Sequence, residues 1–253
     1  METDPLILDF ENGIAIVKLN HGITNAINPD LVASLTSTLK DLKHDSGVRG
    51  LVLSSSNEKF FSIGFDIPYL FDLPPDSFRS FYQSFGRLCI DLMTIPKPVI
   101  SAIRGHAIAG GCVLTLCCDY RFVSEGHKLI GVNEIKLGVP VPFVADCILR
   151  RLVGYRKARD IMDSGDFFEP DEALNFGLVD KVVSLGEVLP KSIEEAVKLS
   201  SVSSSAFAGV KKNRVEPIEE EIMAKLSEKE DLFVECWYSD IGRSLLKEAI
   251  SKF

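Results

Sequence analysis

Gly105-His106-Ala107-Ile108-Ala109-Gly110-Gly111-Cys112-Val113-Leu114-Thr115-Leu116-Cys117-Cys118-Asp119 is the stretch on which the fold turns. Pro98 to Ile103 leads into it and reads as a buried strand, because it is short, apolar and rich in β-branched residues. Cys112 to Cys118 suits a buried helix. Paired glycines between a strand and a helix permit a sharp turn. They also leave their backbone N–H groups at the helix N-terminus, without intrahelical acceptors and on the positive end of the dipole. Donors so placed can hold an oxyanion. A segment of the same character lies upstream, Phe60-Phe61-Ser62-Ile63-Gly64-Phe65-Asp66-Ile67. Either segment alone reads first as a tight turn, so the weight rests on the two together.

The flanking chain alternates strands and helices. Leu6, Leu8 and Phe10, the turn Glu11-Asn12-Gly13, and then Ile14, Ile16 and Leu19 predict a hairpin. Asn28-Pro29 opens a helix with Leu31, Leu35, Leu39 and Leu42 on one face, and Val48 to Ser54 is the next strand. Downstream the pattern predicts a helix from Phe78 to Met93 and strands at Tyr120 to Val123 and near Leu129 to Glu134. After about Ser184 the β-branched clusters stop. Lys191 to Leu199, Pro217 to Lys229 and Ile241 to Ile250 read as helices, and Ser200 to Ser205 reads first as a short polar loop between helices and otherwise as an internal hinge. The division expected is a core over 1–195 and a helical region over 196–253.

The 253 residues carry 28 Lys and Arg against 36 Asp and Glu, a net charge of −8, so no overall positive field gathers nucleic acid or an anionic bilayer. Val48 to Leu53 and the other apolar runs fall far short of the ~20 residues of a spanning helix. No signal or transit pattern is read at METDPLILDFENG, and the mature chain is expected to begin there. The C-terminal Ser-Lys-Phe is near to, but is not, the peroxisomal Ser-Lys-Leu. Six cysteines without zinc-like spacing point to buried thiols in a reducing, cytoplasmic setting, with no metal site.

Five motifs in order make the chain resemble the enoyl-CoA hydratase/isomerase (crotonase) superfamily over nearly its whole length. They are Phe60 to Ile67, Pro96 to Ala102, Gly105 to Asp119, Asn133-Glu134-Ile135-Lys136-Leu137-Gly138, and Ala173 to Asp180. The resemblance implies an α/β fold, a crotonase-like spiral of ββα units with a C-terminal helical region that builds homotrimers or hexamers. It implies an acyl-CoA thioester substrate, with coenzyme A as part of that substrate and no separate cofactor. By motif position the thioester oxygen would be held by the N–H groups of Ile63 and Gly110. Ser62, Gly64, Phe65, Asp66 and Asn133 would lie near the substrate, and Ile23, Thr24 and Ala26 would fall on the loop that meets coenzyme A. Lys252 and Lys211-Lys212-Asn213-Arg214 are further candidates for its phosphates, each read first as a solvated face. Phe65, Tyr69, Phe81, Phe85 and Phe143 could line an acyl pocket or simply form core.

The sequence departs from the family pattern at one telling position. Hydratases of the superfamily carry two glutamates, and the first is replaced here by Val113, which has no proton to move, whereas the second is matched by Glu134. Adding water across a double bond is work for two groups. A 1,3-proton shift needs one, which together with the wording Gly131-Val132-Asn133-Glu134 and Pro142-Phe143 implies a Δ3 to Δ2 enoyl-CoA isomerase with Glu134 as base. Burial in an apolar pocket is expected to raise its pKa. A hydratase with its acid from elsewhere, and a non-catalytic acyl-CoA-binding or assembly subunit, are the alternatives. Asp66 and Asp119 are expected to be structural, and His106 a loop histidine.

Overall fold

A computed structural model describes residues 4–251; Lys252 and the last residue of the Ser-Lys-Phe tail lie outside it. β1 (Leu6–Glu11) and β2 (Ile14–Leu19) pair antiparallel. Asn12 and Gly13 between them take φ of 52° and 76°, the twist a two-residue hairpin turn requires. α1 (Pro29–His44) begins where the Asn28 side chain accepts the Leu31 N–H at 3.0 Å, and its buried stripe is the predicted leucine face.

Three ββα turns follow. β3 (Gly50–Ser55) and β4 (Phe60–Ser62) lead to α2 (Ile67–Phe71) and α3 (Pro75–Thr94). β5 (Val99–Ile103) and β6 (His106–Ile108) lead to α4 (Gly110–Leu116). β7 (Tyr120–Ser124) and β8 (Ile130–Gly131) lead to a 3₁₀ turn (Glu134–Leu137). Each turn gives one strand to a six-stranded sheet, ordered β1-β2-β3-β5-β7-β9 with β9 at Lys181–Val183, and one to a three-stranded sheet, ordered β4-β6-β8. All pairings but β1·β2 are parallel. The C-terminal ends of β4, β6 and β8 therefore converge, delivering Ile63, Gly110 and Glu134 to one place.

α5 (Phe143–Leu152), α6 (Tyr155–Ser164) and α7 (Pro170–Phe176) return the chain to β9 (Lys181–Val183), and α8 (Leu185–Ser200), α9 (Ser204–Tyr238) and α10 (Asp240–Ile250) complete it. Both faces of the large sheet are covered, as parallel sheets require. Val188, Ile193 and Ala196 of α8 pack on Ile14, Ile16, Val52, Ile100 and Phe122, while the alternate residues Val17, Leu19, Leu51 and Leu53 belong to the main core. Among the described residues no helix is long and apolar enough to cross a membrane.

Several expectations change. The strand predicted to Glu134 stops at Gly131, whose φ of 153° bends the chain, and Glu134 instead opens the 3₁₀ turn that Gly138 closes in the left-handed region. The helix predicted from Pro217 starts thirteen residues earlier, at Ser204. Proline inside α9 removes one backbone donor, and tertiary packing carries the helix past it. In the Lys211–Arg214 cluster Lys212, Asn213 and Arg214 are exposed, as a solvated face implies, but Lys211 is not. Lys211 is 2% exposed, with its ammonium 2.8 Å from Asp119 and 3.0 Å from the Lys97 carbonyl, and Arg214 pairs with the same carboxylate. Asp119 also accepts the Val99 N–H at 2.9 Å, so it is structural, pinning α9 to β5. The 195/196 division falls within α8, and the break between helices lies at 201–203.

Candidate active site

Ala109, between β6 and α4, holds φ 49° and ψ −129°, a conformation an alanine adopts only under constraint. It sets the orientation of the Ala109–Gly110 peptide. Gly110 stands at the first helical position, where its N–H has no intrahelical acceptor. Gly64, at φ 89°, passes beside it. A Cβ at Gly64 would come within 2.9 Å of the Gly110 nitrogen and 2.7 Å of the Ala109 Cβ, so only glycine leaves that donor uncovered. Gly111 is required by the crossing itself, since a Cβ there would lie 2.4 Å from the Ser62 carbonyl oxygen.

These residues border a cavity of about 370 Å³, walled by Ile63, Phe65, Ile67, Ile108, Ala109 and Gly110 on one part and Asn133, Glu134, Leu137, Val139 and Pro142 on another. Phe233 and Trp237 of α9 and Leu245, Glu248 and Ala249 of α10 complete it. Glu134 is 5% exposed, and its Oε2 has no hydrogen-bond partner; neither has Asn133 Oδ1. Burial pushes the Glu134 carboxyl up to about 7, against the opposing pull of the Glu134 and Asn133 backbone N–H groups. A carboxyl so poised gives up and takes back a proton near neutrality. Glu248 also reaches this cavity but is exposed on α10.

Of the residues singled out in the sequence, Ile63, Phe65, Gly110, Asn133 and Glu134 meet at this cavity. The Ile63 N–H donates to the Thr24 carbonyl at 3.2 Å, so that donor is engaged inside the protein. Ile23, Thr24 and Ala26 lie on the neighbouring loop rather than in the wall: Ile23 is 78% exposed, and the Ala26 carbonyl contacts His21 Nδ1 at 3.0 Å. Ser62 is buried and donates to the Asn25 carbonyl, and Asp66 caps α2 by accepting the Tyr69 N–H. His106 Nδ1 accepts the Leu129 N–H at 2.9 Å and so ties a loop; burial, with His127, Lys128 and Lys59 nearby, lowers its pKa. Val113 is fully buried in core and outside the wall. Phe81 and Phe85 stand behind Phe65, with ring centroids 5.1 and 5.0 Å away, Tyr69 is half exposed, and Phe143 borders a separate small crevice.

The wall from α9 and α10 was missed in the sequence, where Phe233, Trp237 and Leu245 look like any amphipathic helix. Asn25 was missed too. At φ 49° it is fully buried, and its amide donates to Ser55 Oγ and the Phe61 carbonyl, each at 3.0 Å, fixing the loop to β4. Its only sequence signal is the tolerance of asparagine for the left-handed region. All six cysteines are free thiols, five of them buried, and among the described residues no group of three His, Cys, Asp or Glu could hold a metal ion.

Comparison with known proteins places this geometry. The chain is 34% identical to the mouse (Mus musculus) protein named enoyl-CoA delta isomerase 1, mitochondrial, over 181 residues, 71% of this chain and 63% of that protein. It thus spans less than two thirds of the length of that relative. It is 30% identical to a crotonyl-CoA hydratase of Syntrophomonas wolfei, over 94% of this chain and 91% of that one. The solved structure of human mitochondrial delta3-delta2-enoyl-CoA isomerase superposes with a TM-score of 0.94 at 25% identity, covering 98% of this chain and 97% of that one. A family model described as enoyl-CoA hydratase/isomerase matches residues 9–248, and with the converging strand ends, the helix-terminal donor and the buried glutamate it shows that the chain belongs to the enoyl-CoA hydratase/isomerase family.

Proposed function

We propose that the protein converts 3-enoyl-CoA thioesters into the conjugated 2-enoyl-CoA by a 1,3-proton shift. The observation that carries this reading is the one deeply buried carboxylate of the cavity among the described residues, Glu134, with Val113 out of the wall where hydratases of the family carry a second glutamate. Ionised Glu134 takes a proton from C2; the electron pair passes into a dienolate, its negative charge on the thioester oxygen. The 3,4 double bond then moves to the 2,3 position as C4 takes the proton back from Glu134. No electrons or atoms are gained overall, so the proposed reaction needs no cofactor beyond the coenzyme A of the substrate.

The Gly110 N–H is oriented to hold that oxygen, as donors at a helix N-terminus do. Ile63 can join it once its N–H leaves the Thr24 carbonyl, or shares itself between the two acceptors. The apolar wall excludes water, which both raises the Glu134 pKa and keeps water from adding to the product.

The test is the rise in conjugated-thioester absorbance when a 3-enoyl-CoA is added to wild type and to Glu134→Gln. Loss of about 10²–10⁴ in rate is expected for removing the acid–base group; undiminished turnover would overturn the assignment. Near-complete alignment with a crotonyl-CoA hydratase favours one second reading, hydration. Water addition to crotonyl-CoA at a rate matching the isomerisation would support it instead.

A further inference from the structure

The Gly110 N–H stays uncovered only while the chain at Gly64 keeps its place, since even a Cβ there would stand 2.9 Å from that nitrogen. Gly64 belongs neither to β4, which ends at Ser62, nor to α2, which begins at Ile67. It is held by the loop between β2 and α1. Ile27 donates its N–H to the Gly64 carbonyl at 2.8 Å, and the Gly64 N–H donates to Ser62 Oγ at 3.2 Å. That hydroxyl donates in turn to the Asn25 carbonyl at 2.8 Å, and the Asn25 amide donates to the Phe61 carbonyl at 3.0 Å. The chain is thus tied to the short stretch from Asn25 to Ile27 both before and after Ile63.

Asn25 is the hub of these ties. It is fully buried, its Oδ1 accepts the His21 N–H at 2.8 Å, and its amide donates also to Ser55 Oγ at 3.0 Å, at the end of β3. Ser55 Oγ itself donates to the Phe60 carbonyl at 2.6 Å. One dry side chain therefore cross-links the loop, β3 and β4, and buried hydrogen bonds of this kind are costly to leave unmade. Asn25 lies outside the cavity wall. We propose that Asn25 is a positioning residue for the reaction, acting through Gly64 to keep the Gly110 N–H free for the negative charge that gathers on the thioester oxygen. This deepens the isomerase reading and rests on it for that charge. A preorganised donor favours the charged state over the neutral substrate, so losing its support falls on enolate stabilisation more than on ground-state binding.

The probe is acetoacetyl-CoA, whose enolate shares its negative charge with the thioester oxygen and absorbs in the near ultraviolet. The enolate-to-keto ratio of the bound ligand is measured at neutral pH in wild type, Asn25→Gly and Ser62→Ala. Glycine accepts the φ of 49° at position 25, so the first variant removes the side chain without straining the backbone. The second breaks only the hydroxyl link. Each is expected to lower the ratio roughly three- to tenfold, the range of one net hydrogen bond, with affinity for the saturated butyryl-CoA falling by less. The ratio belongs to the bound complex, so a variant that is merely less stable keeps the wild-type value, and that result in Asn25→Gly overturns the proposal. Ser62→Ala decides in its place should Asn25→Gly not fold. Turnover is not involved, so isomerisation is judged by its own assay. If wild type leaves acetoacetyl-CoA unbound, or no more ionised than the free ligand, the oxyanion site falls and this proposal with it.

Discussion

At the scale of single residues the site depends on what is left bare. Gly64 keeps the Gly110 nitrogen uncovered, so Gly64→Ala is expected to cut kcat/KM by about 10² or more, the typical effect of losing one oxyanion donor. Steady-state kinetics checks it, with substrate affinity changed far less than kcat. Glu134 must be ionised to act, and its carboxyl stands at about 7. The rate should therefore climb about tenfold per pH unit below that value and level off above it, a profile read from kcat/KM. Both positions were legible in the sequence through their motifs. The Ile63 to Thr24 hydrogen bond was not, because backbone pairing between two loops leaves no trace in residue type.

At the scale of elements, α9 is fixed to the core at two points by different forces. Its first half is held by Lys211 and Arg214 on Asp119, its second by aromatic stacking, with Tyr82 and Phe233 centroids 4.0 Å apart. Burial pushes the Lys211 pKa down, and the Asp119 carboxylate opposes that shift. Lys211→Ala strips Asp119 of one partner in a dry setting and should cost about 3 kcal/mol, seen as a lower denaturant midpoint. If the cluster served coenzyme A phosphates, KM would rise as well; here it should stay within twofold. The strand and helix order was readable because each element carries its own period. The 3₁₀ turn at Glu134 was not, since four residues are too few to show one. Nor was the depth of Lys211, because a run of basic residues on a helix looks solvated until the partner is seen.

For the whole molecule, the same Glu134 links stability to pH. Its carboxyl is raised from the ordinary glutamate value to about 7, so the native state holds a proton that the unfolded chain releases between those values. The resulting stabilisation is present below the unfolded value and is lost as pH rises through about 7, on the order of 3 kcal/mol across the span. Glu134→Gln cannot titrate, so its melting temperature relative to wild type should increase between about pH 5 and pH 8. The aromatic and aliphatic wall from α9 and α10 has a further consequence, concerning time. A growing chain that has reached only Ser200 carries the strand ends and Glu134 but leaves Phe78, Tyr82 and the cavity floor open to water. Sealing them joins segments from distant parts of the sequence, and such long loops close slowly. The pocket is thus a late event in folding, and the unfinished chain is sticky where the finished one is selective.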